Sequence, residues 1–244
     1  MHNVGEQLQD LLFENGAAMV GFGELSEFPS HSRQGLPNGV SVVVKYPKEV
    51  IRGIHTLPTR EYHEHYNLLN ERLDALVSMG ADFLQDEGYT AIAQTRDYVN
   101  QHCANDSLLL TEDILPHKTF ATRAGIGWIG KCALLVTKEY GSMVRLSSIL
   151  TDAPLPVAEP INESFCGDCD DCVRACPAQA VSGRQWCAGL PRDEFFDYAA
   201  CEITAQQRSL QGFGQPITIC GKCIEVCPYT RSYLGKRAND QHGA

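Results

Sequence analysis

Cys166, Cys169, Cys172 and Cys176, with Pro177 behind them, form a C-x2-C-x2-C-x3-C-P run. At this spacing three thiolates hold one 4Fe-4S cube and the fourth reaches across to a second. Cys220, Cys223 and Cys227, followed by Pro228, repeat the pattern one ligand short. Two cubes need eight thiolates and the two runs supply seven, so one must come from elsewhere. Cys187 and Cys201 are the candidates. Cys201 is preferred because it opens a polar, helix-compatible stretch, Glu202 to Gln207. Cys187, in Trp186-Cys187-Ala188-Gly189, is adequately explained as a small buried thiol. The crossed arrangement assigns Cys166, Cys169, Cys172 and Cys227 to one cube and Cys176, Cys201, Cys220 and Cys223 to the other. Two such clusters move electrons singly, at potentials set by hydrogen bonds and solvent.

Zinc and disulfides are the competing uses of these residues. Structural zinc also favours paired C-x-x-C elements, but it takes four ligands per ion with a longer gap between pairs. It leaves the third Cys at spacing three, and both prolines, without a reason. The 11 cysteines are an odd number. Met1 is followed by His2, Asn3 and Val4 instead of a basic and then an apolar export segment, so the chain is expected in the reducing cytoplasm, where a disulfide framework is disfavoured. No apolar stretch approaches the roughly 20 residues of a membrane span, and no membrane partner is expected. The 20 Lys and Arg against 30 Asp and Glu give a formal charge of −10. That balance argues against a generic nucleic-acid or anionic-membrane surface, which draws on clustered cations.

These thiols need elements to position them. Val4, Leu8, Leu11 and Leu12 recur at helical spacing ahead of Gly16. A strand from Ala18 to Phe22 follows, then a short β-branched run, Val40 to Val44, suited to a strand buried on both faces. Tyr66, Leu69, Leu73, Leu76 and Leu84 mark one face of a long helix between Tyr62 and Gln85, which Gly80 would interrupt. Tyr89 to Gln94 reads as a strand, and Ala133 to Thr137 and Met143 to Leu150 as two more, joined through a hairpin turn at Gly141. Pro154, Pro156 and Pro160 favour an extended connector. The expected organisation is an α+β chain: residues 1–157 as an α/β domain, 158–234 as a two-cluster domain organised around inorganic material, and 235–244 as a mobile tail.

The cluster segment, taken with Arg123-Ala124-Gly125-Ile126-Gly127-Trp128-Ile129-Gly130-Lys131 and with Ser148-Ile149-Leu150-Thr151-Asp152-Ala153-Pro154-Leu155-Pro156, resembles the epoxyqueuosine reductases, relatives of the corrinoid reductive dehalogenases. It looks most like a short branch of double-cluster 4Fe-4S proteins, over about Ala18 to Arg231. The resemblance implies an N-terminal nitroreductase-like cobalamin-binding domain followed by a bacterial ferredoxin-like domain. It also implies cobalamin as a further cofactor, with Gly125, Gly127, Trp128, Gly130 and Lys131 lining the corrin. Backbone free of side chains can lie close to a flat macrocycle. Without the resemblance, the same glycines read as a tight turn before the strand at Ala133. Full-length family members have a C-terminal helical-repeat extension that holds tRNA, whereas this sequence runs only 17 residues past Cys227. Together with the acidic balance, that sets the expectation against tRNA and for a small-molecule substrate.

A reductive step also needs a proton from a positioned acid. Asp113, His117, Lys118 and Tyr98, with His102, lie in the window before the Gly-rich segment. The proton-donating Asp that the resemblance implies corresponds to Asp113 only with a shifted gap. Each has a structural alternative: Asp113 as a turn residue before Pro116, Lys118 as a solvated charge, Tyr98 as a packed ring with its hydroxyl capped. The expectation is an oxidoreductase supplied by a donor such as a ferredoxin or flavodoxin. The alternative is an electron-transfer module that serves a partner enzyme and has no corrinoid of its own.

Overall fold

A computed structural model of the protein describes residues 3–102 and 114–235. In chain order the elements are α1 (Val4–Glu14), β1 (Met19–Glu24), β2 (Asn38–Lys45), α2 (Lys48–Gly53), α3 (Arg60–Asp86), β3 (Ala91–Ala93), α4 (Arg96–His102), α5 (His117–Arg123), β4 (Trp128–Ile129), β5 (Leu135–Val136) and β6 (Val144–Thr151). The short helix α6 (Asp171–Ala175), a 3-10 turn at Arg192–Glu194, α7 (Tyr198–Phe213), α8 (Lys222–Val226) and α9 (Pro228–Leu234) follow. The mixture of helix and sheet is the one anticipated. No described helix is long and apolar enough to cross a membrane.

The chain divides into two compact units that are not contiguous in sequence. One comprises Met1–Val44, Leu69–Ile126 and Arg145–Ile161; the other comprises Lys45–Leu68, Gly127–Val144 and Asn162–Ala244.

The first unit is built on a four-stranded sheet in the order β1-β2-β6-β3, with β1 antiparallel to β2 and β3 antiparallel to β6. Val40, Val42, Val43 and Val44 of β2 are buried, as expected of a strand covered on both faces. Leu25, Leu36, Leu115, Phe120 and Leu150 form a core cluster beside the sheet. Asn3 caps α1 through a hydrogen bond from the Gly5 amide at 3.0 Å and completes a capping box with Glu6. Gly80 does not interrupt α3. A Cβ there would stand 2.7 Å from Ile149 Cδ1, so the glycine is what lets the helix lie this close to the sheet.

The expected hairpin takes a different form. β5 pairs with β4 in a separate two-stranded sheet, while β6 lies between β2 and β3. The turn survives as a single Thr137–Gly141 bridge, with Gly141 at φ +59°. Burial explains the exchange, because β6 is buried along most of its length and satisfies two neighbours, whereas β5 is only two residues long.

In the second unit the segment before α3 is pinned to the C-terminal helices. Arg52 donates to the Leu234 carbonyl at 2.6 Å and Arg60 to the Phe213 carbonyl at 3.0 Å. Tyr140 and Tyr233 pack edge to face, and the Lys45 ammonium lies 4.7 Å from the Tyr140 ring.

Candidate metal centre and reducing site

The two cysteine runs fold alike. Cys172 lies on α6, which ends at Cys176 and Pro177; Cys223 lies on α8, which ends at Cys227 and Pro228. The helices α6 and α8 pack together. The residue after each last Cys has no amide to continue the helix, so each thiol is carried at a sharp exit. Gly221, at φ +74°, opens α8 with backbone that a side chain would strain.

The thiols sort into two neighbourhoods. Cys169 lies beside Cys166 and Cys172, and Cys227 beside Cys166. Cys201, carried on α7 one turn after its Asp197 cap, lies beside Cys176 and Cys220. Burial, followed by these two neighbours, pushes the Cys201 thiol up to about 11. Burial likewise raises Cys169 and Cys227. Crowded, half-sheltered sulfurs resist ionisation until a cation arrives, and a coordinating metal deprotonates them outright. Cys187, by contrast, is exposed, its backbone bridged to Glu163. All ten described cysteines are free thiols. No three His, Cys, Asp or Glu among the described residues converge on a single metal ion. Ligands of a four-iron cube stand farther apart than those of one ion, since each binds a different corner.

Two further features fit bound clusters. Lys131 is 6% exposed and donates from Nζ to the Cys169 carbonyl at 2.9 Å, placing a buried cation against a loop of thiols. A buried ammonium is costly without nearby negative charge, which iron-bound thiolates supply. Trp128 is fully buried between Phe165 and Tyr229, with ring centroids 5.1 and 4.9 Å away, and its Nε1 has no hydrogen-bond partner among the described residues. Phe165 precedes Cys166, and Tyr229 is two residues past Cys227.

The Gly-rich segment is divided between the units: Gly125 belongs to the first, while Gly127, Trp128, Gly130 and Lys131 belong to the second. Its glycines answer to the chain's own packing. Gly125 takes φ +65° against the Glu159 carbonyl. A Cβ on Gly127 would overlap the Val136 carbonyl, and one on Gly130 would stand 2.9 Å from Val136 Cγ2 and 3.6 Å from the Cys166 sulfur. Close packing within the chain therefore accounts for them, and Gly130 also borders the Cys166 thiol.

The proposed proton donors do not form one group. Asp113 lies outside the described residues. Tyr98 stacks on His102 at 4.0 Å, and burial raises its hydroxyl above the ordinary tyrosine range. Lys118 is half-buried on α5. His117, at the start of α5, shares a 3.0 Å hydrogen bond between Nδ1 and Ser148 Oγ. Burial, reinforced by the Arg145 cation and opposed by Asp74, pulls its imidazole down to about 4. Sequence reasoning missed Gln94. Its backbone amide donates to the Ser148 carbonyl at 2.9 Å, and both polar atoms of its 1% exposed side chain lack partners among the described residues. A buried primary amide with both edges open suits a bound group rich in carboxamides or base edges, as a corrinoid or a nucleobase is. Only its position at the end of the expected strand Tyr89 to Gln94 could have drawn attention to it.

The 4Fe-4S double cluster binding domain family matches residues 165–230, which include both cysteine runs and Cys201. The chain is 34% identical over 130 residues to the epoxyqueuosine reductase of Vibrio cholerae, covering 51% of this chain and 33% of that one. It is 31% identical over 141 residues to that of Escherichia coli, covering 55% and 36%. The chain is epoxyqueuosine reductase-like. It spans about a third of the length of these curated relatives. Among solved structures, epoxyqueuosine reductase with an epoxyqueuosine-modified tRNA stem loop superposes with a TM-score of 0.59 at 20% identity, covering 93% of this chain and 65% of that one. A catabolic reductive dehalogenase in complex with 3-bromo-4-hydroxybenzoic acid gives 0.70 at 18% identity, covering 93% and 32%. At these identities the likeness is one of fold.

One expectation is overturned. The acidic balance argued against tRNA, yet the relatives are named for epoxyqueuosine and one is solved with a modified tRNA stem loop. Net charge decides phosphate-driven, sequence-independent binding. Bases splayed from a stem loop are also recognised by stacking and by their edges, and these interactions do not require a basic protein.

Proposed function

We propose that this chain is an iron-sulfur reductase of the epoxyqueuosine reductase type, acting on an epoxide-bearing nucleoside in tRNA. Two 4Fe-4S clusters pass electrons singly, and a corrinoid would present them to the substrate. Reducing an epoxide consumes two electrons, so one-electron carriers in series, refilled by a donor such as a ferredoxin or flavodoxin, match the demand. The observation that carries this reading is the pair of crossed thiol neighbourhoods inside the double cluster domain.

In this reading Cys166, Cys169, Cys172 and Cys227 hold one cube and Cys176, Cys201, Cys220 and Cys223 the other. Lys131 offsets their negative charge. Gln94 anchors a carboxamide or base edge in the first unit. His117, neutral at ordinary pH, is a hydrogen-bonding residue and not a proton store. Tyr98 keeps its proton and, with Lys118, remains a candidate acid.

The test is anaerobic. Protein reconstituted to eight iron and eight sulfide is given cobalamin, a strong reductant and a tRNA stem loop bearing epoxyqueuosine, and the nucleoside is followed by mass spectrometry. Loss of the epoxide, dependent on both cobalamin and the clusters, is the expected result. An unchanged nucleoside, with cobalamin giving no spectral shift while the clusters still reduce an added acceptor, would replace the enzyme with an electron carrier.

A further inference from the structure

Trp128 is fully buried, and its Nε1 donates to nothing among the described residues, cysteine sulfurs included. Buried polar groups in folded chains are as a rule paired, and an indole nitrogen can pair only with an acceptor. The β4–β5 ladder fixes the side on which the ring lies. Trp128 stands opposite Val136 and Ile129 opposite Leu135, and the Gly130 amide continues the ladder by donating to the Leu134 carbonyl at 2.9 Å. Side chains two residues apart on a strand share a face, as do those directly opposite on its partner. Trp128 therefore lies on the face towards which a Cβ on Gly130 would point. That Cβ would stand 2.9 Å from Val136 Cγ2 and 3.6 Å from the Cys166 sulfur, so this face of the ladder meets the first cysteine loop. The aromatic contacts agree. Phe165 and Tyr229, with ring centroids 5.1 and 4.9 Å from the indole, stand next to Cys166 and two residues past Cys227, two thiols assigned to the same cube. Phe165 is itself 49% exposed and covers the indole from water.

We propose that the Trp128 N–H donates a hydrogen bond to a sulfide of the cube held by Cys166, Cys169, Cys172 and Cys227, and thereby sets that cube's potential. The acceptor is one that arrives with the iron, since the chain itself offers none. An added electron increases the negative charge on the cube's sulfurs. A donor aimed at one of them therefore stabilises the reduced form more than the oxidised form and raises the potential. The indole does not titrate, so the bond does not depend on pH. Lys131, three residues on, acts in the same direction from the Cys169 loop. The inference rests on the two-cluster part of the proposed function and not on the corrinoid or the substrate.

The experiment uses the full chain, purified anaerobically as wild type, Trp128→Phe and Trp186→Phe, each produced with tryptophan labelled with nitrogen-15 in the indole. The chain has only these two tryptophans, so the variants separate their signals. Each protein is analysed for iron and sulfide, titrated with reductant under EPR detection, and examined in the reduced state by pulsed EPR. Wild type should carry about eight iron and show coupling of an indole nitrogen to a reduced cube. The coupling should persist in Trp186→Phe and vanish in Trp128→Phe. Trp128→Phe, which keeps an aromatic ring without the N–H, should lower one midpoint by a tenfold change in the reduction equilibrium, about 59 mV for one electron, and leave the other in place. Wild type with eight iron and no indole coupling would overturn the proposal, and this measurement needs no variant to fold. Unchanged midpoints in Trp128→Phe, or a coupling that vanishes in Trp186→Phe instead, would overturn it too. A wild type without iron would overturn the cluster reading first, and this inference with it.

Discussion

Cys201 and Cys187 were the two candidates for one vacancy, and their surroundings now differ in kind. Cys201 lies beside two thiols of the second set, with its ionisation pushed up to about 11 by burial and by them, whereas Cys187 faces solvent. Cys201→Ala should therefore cost about four of the eight iron atoms, and Cys187→Ala none, as read by iron and sulfide analysis of anaerobic protein. The reverse pattern would exchange the two assignments. The runs themselves were legible because spacing is the signal: thiolates two and three residues apart have few other uses. Gln94 was not legible, since a single residue at a strand end has no spacing, and only the fold shows that its side chain is buried. By position alone His117 reads as an acid, but its environment keeps the imidazole neutral at ordinary pH. With its folded value near 4 and an unfolded value near 6.5, the unfolded chain binds the extra proton between these limits. Stability should fall as pH drops from about 6.5 towards 4 and level off below. His117→Gln, which can keep a hydrogen bond to Ser148, should flatten that window relative to wild type in denaturant titrations. Parallel pH profiles for the two proteins would show that the ring is not held neutral.

At the scale of elements, periodicity located α1, β2 and α3 well, because each buries a continuous apolar face. Partner choice was not legible. The sequence near Gly141 has turn chemistry, but whether a turn closes a hairpin depends on what else competes for the second strand, and β6 is taken by β2 and β3. What the turn does instead is meet α9. The Ser142 amide donates to Thr230 Oγ1 at 3.1 Å, and a Cβ on Gly141 would overlap the Thr230 backbone. Gly141→Ala therefore combines an unfavourable φ of +59° with overpacking against main chain, and should cost about 3 kcal/mol. Gly214→Ala is the internal control. Gly214 ends α7 at φ +82° with nothing within 4 Å of where a Cβ would stand, so only the backbone strain remains, about 1 kcal/mol. Chemical denaturation of both variants measures the difference, and equal losses would mean that the Thr230 contact contributes nothing.

Over the whole molecule, net charge is a poor guide to a partner because it adds together cations committed inside the chain and cations that are not. Arg123 pairs with Glu27, Arg96 with Asp74, and Lys222 with Glu225, while Arg52, Arg60 and Lys131 serve backbone carbonyls. A formal sum over the sequence cannot distinguish such residues from those that face a ligand. The linear division at residue 157 meets the same limit. Composition changes there, but compactness follows contacts, and Lys45–Leu68 and Gly127–Val144 belong with the cluster-bearing segment. Their contributions are specific. The Tyr46 and Tyr62 rings pack at a tilt, Arg60 and Arg52 hold the ends of α7 and α9, and buried Glu225, between Cys223 and Cys227, takes a hydrogen bond with His55 as well as Lys222. Gly221, which opens the second cysteine helix, lies where a Cβ would overlap the side chain of Ile54. A fragment of residues 158–234 keeps all eight assigned thiols and the Lys222–Glu225 contact, and loses the other supports together with Lys131 and Trp128. Expressed alone and reconstituted under the conditions that load the full chain, it should retain well under eight iron and lose cluster absorbance at lower temperature or denaturant concentration. Eight iron with the stability of the full chain would show that the cysteine runs and α7 fold by themselves, and that the earlier segments only lean on a finished domain.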